Sequence, residues 1–397
     1  MGAIGGAVDF RNCNIDFSAF NNIRNAQTLR GRKGSVAYLD SGIAMFYNSD
    51  GFFESEQPIL SERRGYNASL VIDSPFFDVA LAMESYRAYG VEFVGMLDIP
   101  FAMALYDGER RMLLLARDKK GKKPLYYTVK AGRVFFSSEP KGVLSTKTNG
   151  VYVNGDMLSS HLTSPMGIYG AADIYADIFE VHRGECVLFT ELGVSKFFYR
   201  ENPHKKIAVK NRPKFLEKAI EPFFEFEESK TVSSLEDALI AFDMPQFDVY
   251  MPSICKLFEG VQNGLVFQFV DLSKRNNILF SYDREDRLSA FYGKIGIGVI
   301  GKFENNAVEK TDKEKELLLN FLIDTFFSLD RSAMLLLRKI FGDSKLNCFI
   351  RGLDKNKIKK EDTELIIRIL GMMYQTAEWV KLRDIRFLSE EKGTFSI

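Results

Sequence analysis

Four cysteines (Cys13, Cys186, Cys255 and Cys348) and three histidines (His161, His182 and His204) are the side chains of this 397-residue chain best suited to nucleophilic or zinc chemistry. Their spacing supports neither. No C-x-x-C occurs, and no histidine stands at ligand distance in sequence from a cysteine, so no metal site or disulfide framework is expected. The chain has no G-x-x-x-x-G-K-(S/T), no G-x-G-x-x-G after a strand, no H-E-x-x-H and no G-x-S-x-G. Gly293-x-x-Gly296-x-Gly298 lies in an apolar stretch and reads as a turn or close packing. The basic run Lys119-Lys120-Gly121-Lys122-Lys123 reads as a solvated turn.

The elements that position these residues must come from an ordinary globular composition, 46% hydrophobic and 27% charged. At ~100–200 residues per domain, the length favours two domains. Lysine plus arginine balances aspartate plus glutamate at 53 each, so no overall field points to nucleic acid. No signal-peptide pattern and no apolar run of the ~20 residues that span a bilayer is present, and a cytoplasmic protein without a membrane partner is expected. The 35 phenylalanines against one tryptophan read as core filling.

In the first half, apolar or alternating stretches predict strands over 35–47, 68–72, 101–106, 111–116, 124–129 and 133–137. Asp107-Gly108, Lys120-Gly121 and Ala131-Gly132 punctuate them. Helical patterns cover 18–27 and 77–89, the second ending at Gly90. Composition shifts near Pro203-His204-Lys205-Lys206, which places a boundary between domains 1–204 and 205–397. Beyond it helical periodicity dominates, at 213–226, 317–329, 334–341 and 364–380, with strands expected at 266–270, 278–282 and 295–300. Ser233-x-x-Glu236 and Thr311-x-x-Glu314 have the form of capping boxes.

Four blocks then follow in order: Phe101-Ala102-Met103-Ala104-Leu105-Tyr106-Asp107; Arg117-Asp118; Gly121-Lys122-Lys123-Pro124-Leu125-Tyr126-Tyr127; and Phe135-Phe136-Ser137-Ser138-Glu139-Pro140-Lys141. They resemble the amidotransferase domain of the glutamine-dependent asparagine synthetase family. Leu29-Arg30-Gly31-Arg32-Lys33 sits where that family has R-G-P-D, Gln57-Pro58 matches a family Q-P, and 178–200 resembles the segment that closes the domain. The resemblance covers almost all of residues 1–200. It implies an α+β fold, a four-layer αββα amidotransferase of the N-terminal-nucleophile type, followed by a shortened, mostly helical synthetase-like α/β domain. In such a domain a cysteine exposed by loss of the initiator methionine attacks the glutamine amide, and the ammonia passes to a second domain where ATP activates a carboxylate.

This chain departs from that pattern where the chemistry is done. Gly2 stands at the nucleophile position, so no catalytic residue is assigned there. Arg30 matches the arginine that grips the glutamine carboxylate and is the one vestigial substrate-binding candidate. Lys33 replaces the family aspartate, and Asp73-Ser74-Pro75 falls near the family's N-G-E, where proline removes a backbone donor. In the second half no S-G-G-x-D-S pyrophosphatase loop occurs. The helix 213–226 resembles the one preceding that loop, while 235–257, with Asp243, Pro245, Asp248 and Pro252, resembles a segment well after it. Ser281-Tyr282-Asp283-Arg284-Glu285-Asp286-Arg287-Leu288 lies near a family glycine-rich loop but lacks its glycines; it reads as a solvated charged turn or as a recognition site. Asp330-Arg331-Ser332-Ala333-Met334 echoes a family D-R-x-S-M.

The expected function is therefore that of an asparagine-synthetase-like protein that has lost glutaminase and ATP-pyrophosphatase activity and binds a protein or peptide, an active homologue included. No cofactor or metal is expected on this reading. The alternative is an ATP-dependent amide ligase using free ammonia or another amine, which would need ATP and Mg. A third reading is small-molecule sensing through Arg30.

Overall fold

The computed structural model describes residues 2–28, 34–49, 58–63, 66–74, 79–121, 123–147, 150–163, 171–201, 265–266, 298–299, 312–353, 358–360, 362–383, 385–388 and 394–395. In chain order these contain β1 (Ala3–Asp9), α1 (Phe17–Ala26), β2 (Gly34–Asp40), β3 (Ile43–Ser49), β4 (Ile59–Arg63) and β5 (Tyr66–Asp73). Next come α2 (Val79–Tyr89), a 3-10 helix (Gly90–Met96), β6 (Ala102–Asp107), β7 (Met112–Arg117), β8 (Tyr126–Lys130) and β9 (Arg133–Ser137). Then follow α3 (Pro140–Leu144), β10 (Val151–Val153), α4 (Gly155–Thr163), α5 (Ala171–Ile174), β11 (Phe179–Glu180), β12 (Glu185–Thr190) and β13 (Gly193–Phe198). The remainder comprises β14 (Leu265–Val266), β15 (Gly298–Val299), α6 (Asp312–Phe327), α7 (Arg331–Phe341), α8 (Asp343–Gly352), α9 (Thr363–Arg383), β16 (Ile385–Leu388) and β17 (Thr394–Phe395).

Two six-stranded antiparallel sheets form the body. The first has the order β11-β8-β9-β1-β3-β2 and the second β13-β12-β7-β6-β5-β4. Side chains alternate along each strand, so each sheet has two faces to bury. Ile4, Val8, Met45, Leu113, Leu115 and Phe136 meet between the sheets. Leu70, Met103, Leu105 and Leu114 cover the outer face of the second sheet beneath Ala82, Tyr86 and Phe93 of α2 and the 3-10 helix. Ala7, Phe46 and Phe135 cover the outer face of the first sheet beneath Phe20, Ile23 and Leu158 of α1 and α4. The layering is helix, sheet, sheet, helix, and the sheets are antiparallel throughout.

Most strands of the first half lie where the apolar pattern places them. The run 35–47 divides into the hairpin β2–β3, because Gly42 adopts φ +79° at its turn. β1 has no strand pattern of its own. Its Gly5 and Gly6 are poor strand formers in isolation, yet all seven residues are buried. A Cβ on Gly6 would lie 2.3 Å from the Ala44 carbonyl oxygen and 2.6 Å from Cζ of Phe136. The aromatic rings occupy the volume that side chains would otherwise take.

The helices begin at identifiable caps. The Asp16 carboxylate accepts the Ala19 N–H at 3.0 Å at the start of α1. The Asp330 carboxylate accepts that of Ala333 at 2.7 Å, so the Asp330-Arg331-Ser332 stretch is the start of α7. The patterns read as 213–226, 235–257 and 278–282 lie outside the described residues, as does Ser233-x-x-Glu236. Among the described residues, no helix is long and apolar enough to cross a membrane.

Packing crosses the 204/205 division. Leu336, Ile340, Met372, Trp379, Val380 and Ile385 share one core with Ala7, Phe20, Tyr126 and Tyr175. The Trp379 indole N–H donates to the Tyr175 hydroxyl at 3.2 Å, and β16 pairs in parallel with β10, Val151 opposite Ile385. Trp379 is fully buried and is the chain's single tryptophan, so its fluorescence reports this contact alone. In a urea titration its emission should redden in one transition coincident with loss of sheet circular dichroism. Reddening at lower urea than the sheet signal would mean that α9 leaves while the sandwich stays folded.

Candidate functional site

The position expected from the family resemblance to hold a nucleophile is residue 2, which enters β1. Gly2 is buried there. The register pairs Ala3 with Asn48 and Ile4 with Tyr47. By strand alternation, residue 2 shares the face of Ile4 and Val8, which look into the space between the sheets. That space is already filled. A Cβ on Gly2 would lie 2.6 Å from Cε2 and 2.9 Å from Oη of Tyr47, and 3.0 Å from the Asn48 carbonyl oxygen. The site therefore offers neither a nucleophilic atom nor the room for one while Tyr47 keeps its rotamer. Tyr47 is a residue that sequence reading missed, since only the register of β1 against β3 brings it beside residue 2.

Three cysteines lie among the described residues. Cys186 is buried on β12, and burial first, then the neighbouring Glu185, push its thiol up to about 12, so it is not a thiolate at neutral pH. Cys13 is exposed on the turn after β1, where an Arg111 N–H points to its sulfur at 3.8 Å. Cys348 is exposed on α8. Among the described residues no cluster of histidine, cysteine, aspartate or glutamate could hold a metal ion. Arg30 and Lys33 lie outside the described residues, as do Cys255, His204 and the charged stretch 281–288.

The stretch matched to the glutamine pocket, Asp73-Ser74, is held by other contacts. Lys123 Nζ reaches the Asp73 carboxylate at 2.9 Å, both side chains being at least 95% buried. Ser74 Oγ donates to the Pro100 carbonyl at 2.8 Å.

The remaining motif residues also act on the fold. Arg117 donates to Glu180, to the Val181 carbonyl at 2.9 Å and to the Gly121 carbonyl at 2.8 Å. Burial works against its charge, but Glu180 together with Tyr126 and Asp118 outweighs it and raises its pKa. Asp118 accepts the Lys120 and Lys123 amides at 3.0 and 3.2 Å, and Gly121 turns the loop at φ +64°. Ser138 exchanges two bonds with Ile4, its hydroxyl accepting the Ile4 N–H at 2.9 Å and its own N–H donating to the Ile4 carbonyl at 2.9 Å. Lys141 and Glu139 form a second buried pair at 2.9 Å.

These contacts lead to a stability prediction. Arg117→Met leaves Glu180 and two carbonyls without their partner and should cost about 3–5 kcal/mol. Arg117→Met with Glu180→Met should recover part of that loss, measured as urea midpoints. A neutral single variant would mean that the guanidinium does not hold this junction.

Comparison with known proteins agrees with the motif blocks. Residues 77–200 match the family described as glutamine amidotransferase domain. An amidase, chyE, of Penicillium rubens is 38% identical over 68 residues, 17% of this chain and 10% of that protein. A putative asparagine synthetase (glutamine-hydrolysing) of Methanocaldococcus jannaschii is 26% identical over 132 residues, 32% of this chain and 26% of that protein. The chain thus matches about a tenth to a quarter of the length of these relatives. The solved glutamine phosphoribosylpyrophosphate amidotransferase of Bacillus subtilis aligns with 51% of this chain and 50% of its own at 12% identity and a TM-score of 0.33. Residues 77–200 are thus similar to glutamine amidotransferase domains, and part of the chain is similar to glutamine-hydrolysing asparagine synthetases.

Proposed function

We propose that this protein has left glutamine hydrolysis and ATP pyrophosphatase chemistry behind and acts by binding a protein or peptide, with an active homologue among the candidate partners. The observation that carries this reading is the Tyr47 ring, 2.6 Å from where a side chain at residue 2 would begin. Replacing a nucleophile by glycine removes the covalent step, a loss commonly worth about 10⁴–10⁶ in rate. Filling its volume with a packed tyrosine adds a steric obstacle to regaining it. The neighbouring motif residues are engaged in ion pairs and backbone contacts that hold the sandwich together. A sandwich kept after its chemistry has gone serves through the surface it presents.

Two assays on the purified chain test this. Ammonia release from glutamine should stay at background for the natural protein and for Gly2→Cys, whose thiol meets Tyr47. Pyrophosphate release from ATP with aspartate and ammonium, which bypasses the nucleophile, should also match a no-protein control, with an active asparagine synthetase run alongside. Ammonia release by Gly2→Cys about tenfold or more above the natural protein would show that the position is still usable, and pyrophosphate release would transfer the lead to an amide ligase.

A further inference from the structure

The second sheet ends on an open edge. All six residues of β13 are exposed, and among the described residues no strand pairs with its outer side. An edge of this kind presents a row of N–H and C=O groups that another extended chain can take up. The register sets Phe189 opposite Val194, Val187 opposite Lys196 and Glu185 opposite Phe198. Val187 and Phe189 belong to the core between the sheets, so Val194, Lys196 and Phe198 line the mouth of that core. Val194 is 50% exposed and Phe198 68%. From the first sheet, Phe179 of β11 reaches the same mouth at 45% exposure and stacks on Tyr127.

Lys196 does not guard this edge. Its ammonium lies 5.6 Å from the Tyr127 ring centre and 5.5 Å from that of Phe179, inside the mouth. Basic side chains stand beside it, Lys119 being paired with Glu201. Lys119, Lys120 and Arg183 are exposed at the Phe198 end, where Tyr199 N–H bonds to the Gly184 carbonyl. The described carboxylates nearby are engaged: Glu201 with Lys119, Glu180 with Arg117, and Glu185 with the His182 amide. Glu191, at the other end, pairs with Arg111.

We propose that β13 and Phe179 form a docking edge for an extended acidic peptide, which adds as a seventh strand with the pattern apolar–x–acidic–x–apolar. Directly opposed residues on one face of a sheet interact, so the acidic side chain stands against Lys196 and the apolar ones against Val194 and Phe198. This rests on the binding role proposed above and adds its surface and the chemistry of its partner.

The test is fluorescence anisotropy on the full chain with a labelled peptide Ser-Val-Thr-Glu-Thr-Phe-Ser and the same peptide with lysine in place of glutamate. The glutamate peptide should bind at least about tenfold more tightly, a difference of about 1.4 kcal/mol. Lys196→Glu should reverse that order, and Phe198→Ser should weaken both. Absence of binding, or an order unchanged by Lys196→Glu, overturns the proposal. So does a concentration-dependent dimer in sedimentation that Phe198→Ser abolishes, since the edge would then belong to a second copy of the chain. Failure here with silent ammonia and pyrophosphate assays removes this surface alone, whereas activity in those assays removes the binding role itself.

Discussion

Strand β1 is the element around which the sandwich is arranged. It lies between β3 and β9 with every residue buried, and it carries two consecutive glycines at its centre. The glycines let an aromatic ring close over the strand on each side. Phe46 lies against Gly5 within the outer core, and Phe136 lies against Gly6 within the core between the sheets. Any β-carbon at Gly6 meets a backbone oxygen, which a rotamer change cannot relieve. The two bonds between Ile4 and Ser138 tie the end of β9 to the same strand. The abundance of phenylalanine has a local meaning here: large flat rings from neighbouring strands fill what the central strand leaves empty.

That packing also decides the character of position 2. With β1 held in register, the residue before it faces the same interior as Ile4, and Tyr47 is directly across from Ile4. A chemical absence and a steric one coincide. Residue 2 has no side chain, and the Tyr47 ring occupies the space in which one would begin.

The sequence blocks that identify the amidotransferase relationship are held for a different reason. Asp73–Lys123, Arg117–Glu180 and Glu139–Lys141 are paired inside the protein, and the first two connect segments remote in sequence. Burying charges costs desolvation energy that the pairing only partly returns, so such pairs contribute more to defining one arrangement than to net stability. Removing one partner is far more damaging than having neither. This asymmetry gives a physical reason for these residue types to stand together.

The sequence by itself determined the hairpin strands and the helices of both ends, because alternation and 3.6-residue periodicity are local signals. It also determined that residue 2 carries no nucleophile. It left Gly5-Gly6 without an assigned structure, since a glycine pair favours a turn unless something covers it, and the covering rings come from Phe46 and Phe136, about 40 and 130 positions away. It could not show Tyr47 beside residue 2, a matter of strand register, nor Lys123 beneath Asp73. The composition shift near residue 204 was legible, but the docking of α9 onto the amidotransferase layer was not. That contact joins Tyr175 to Trp379 across 204 positions and exists only once both helical layers have a common apolar face to bury. Local chemistry chooses the elements; burial of their faces against one another chooses which residues become neighbours.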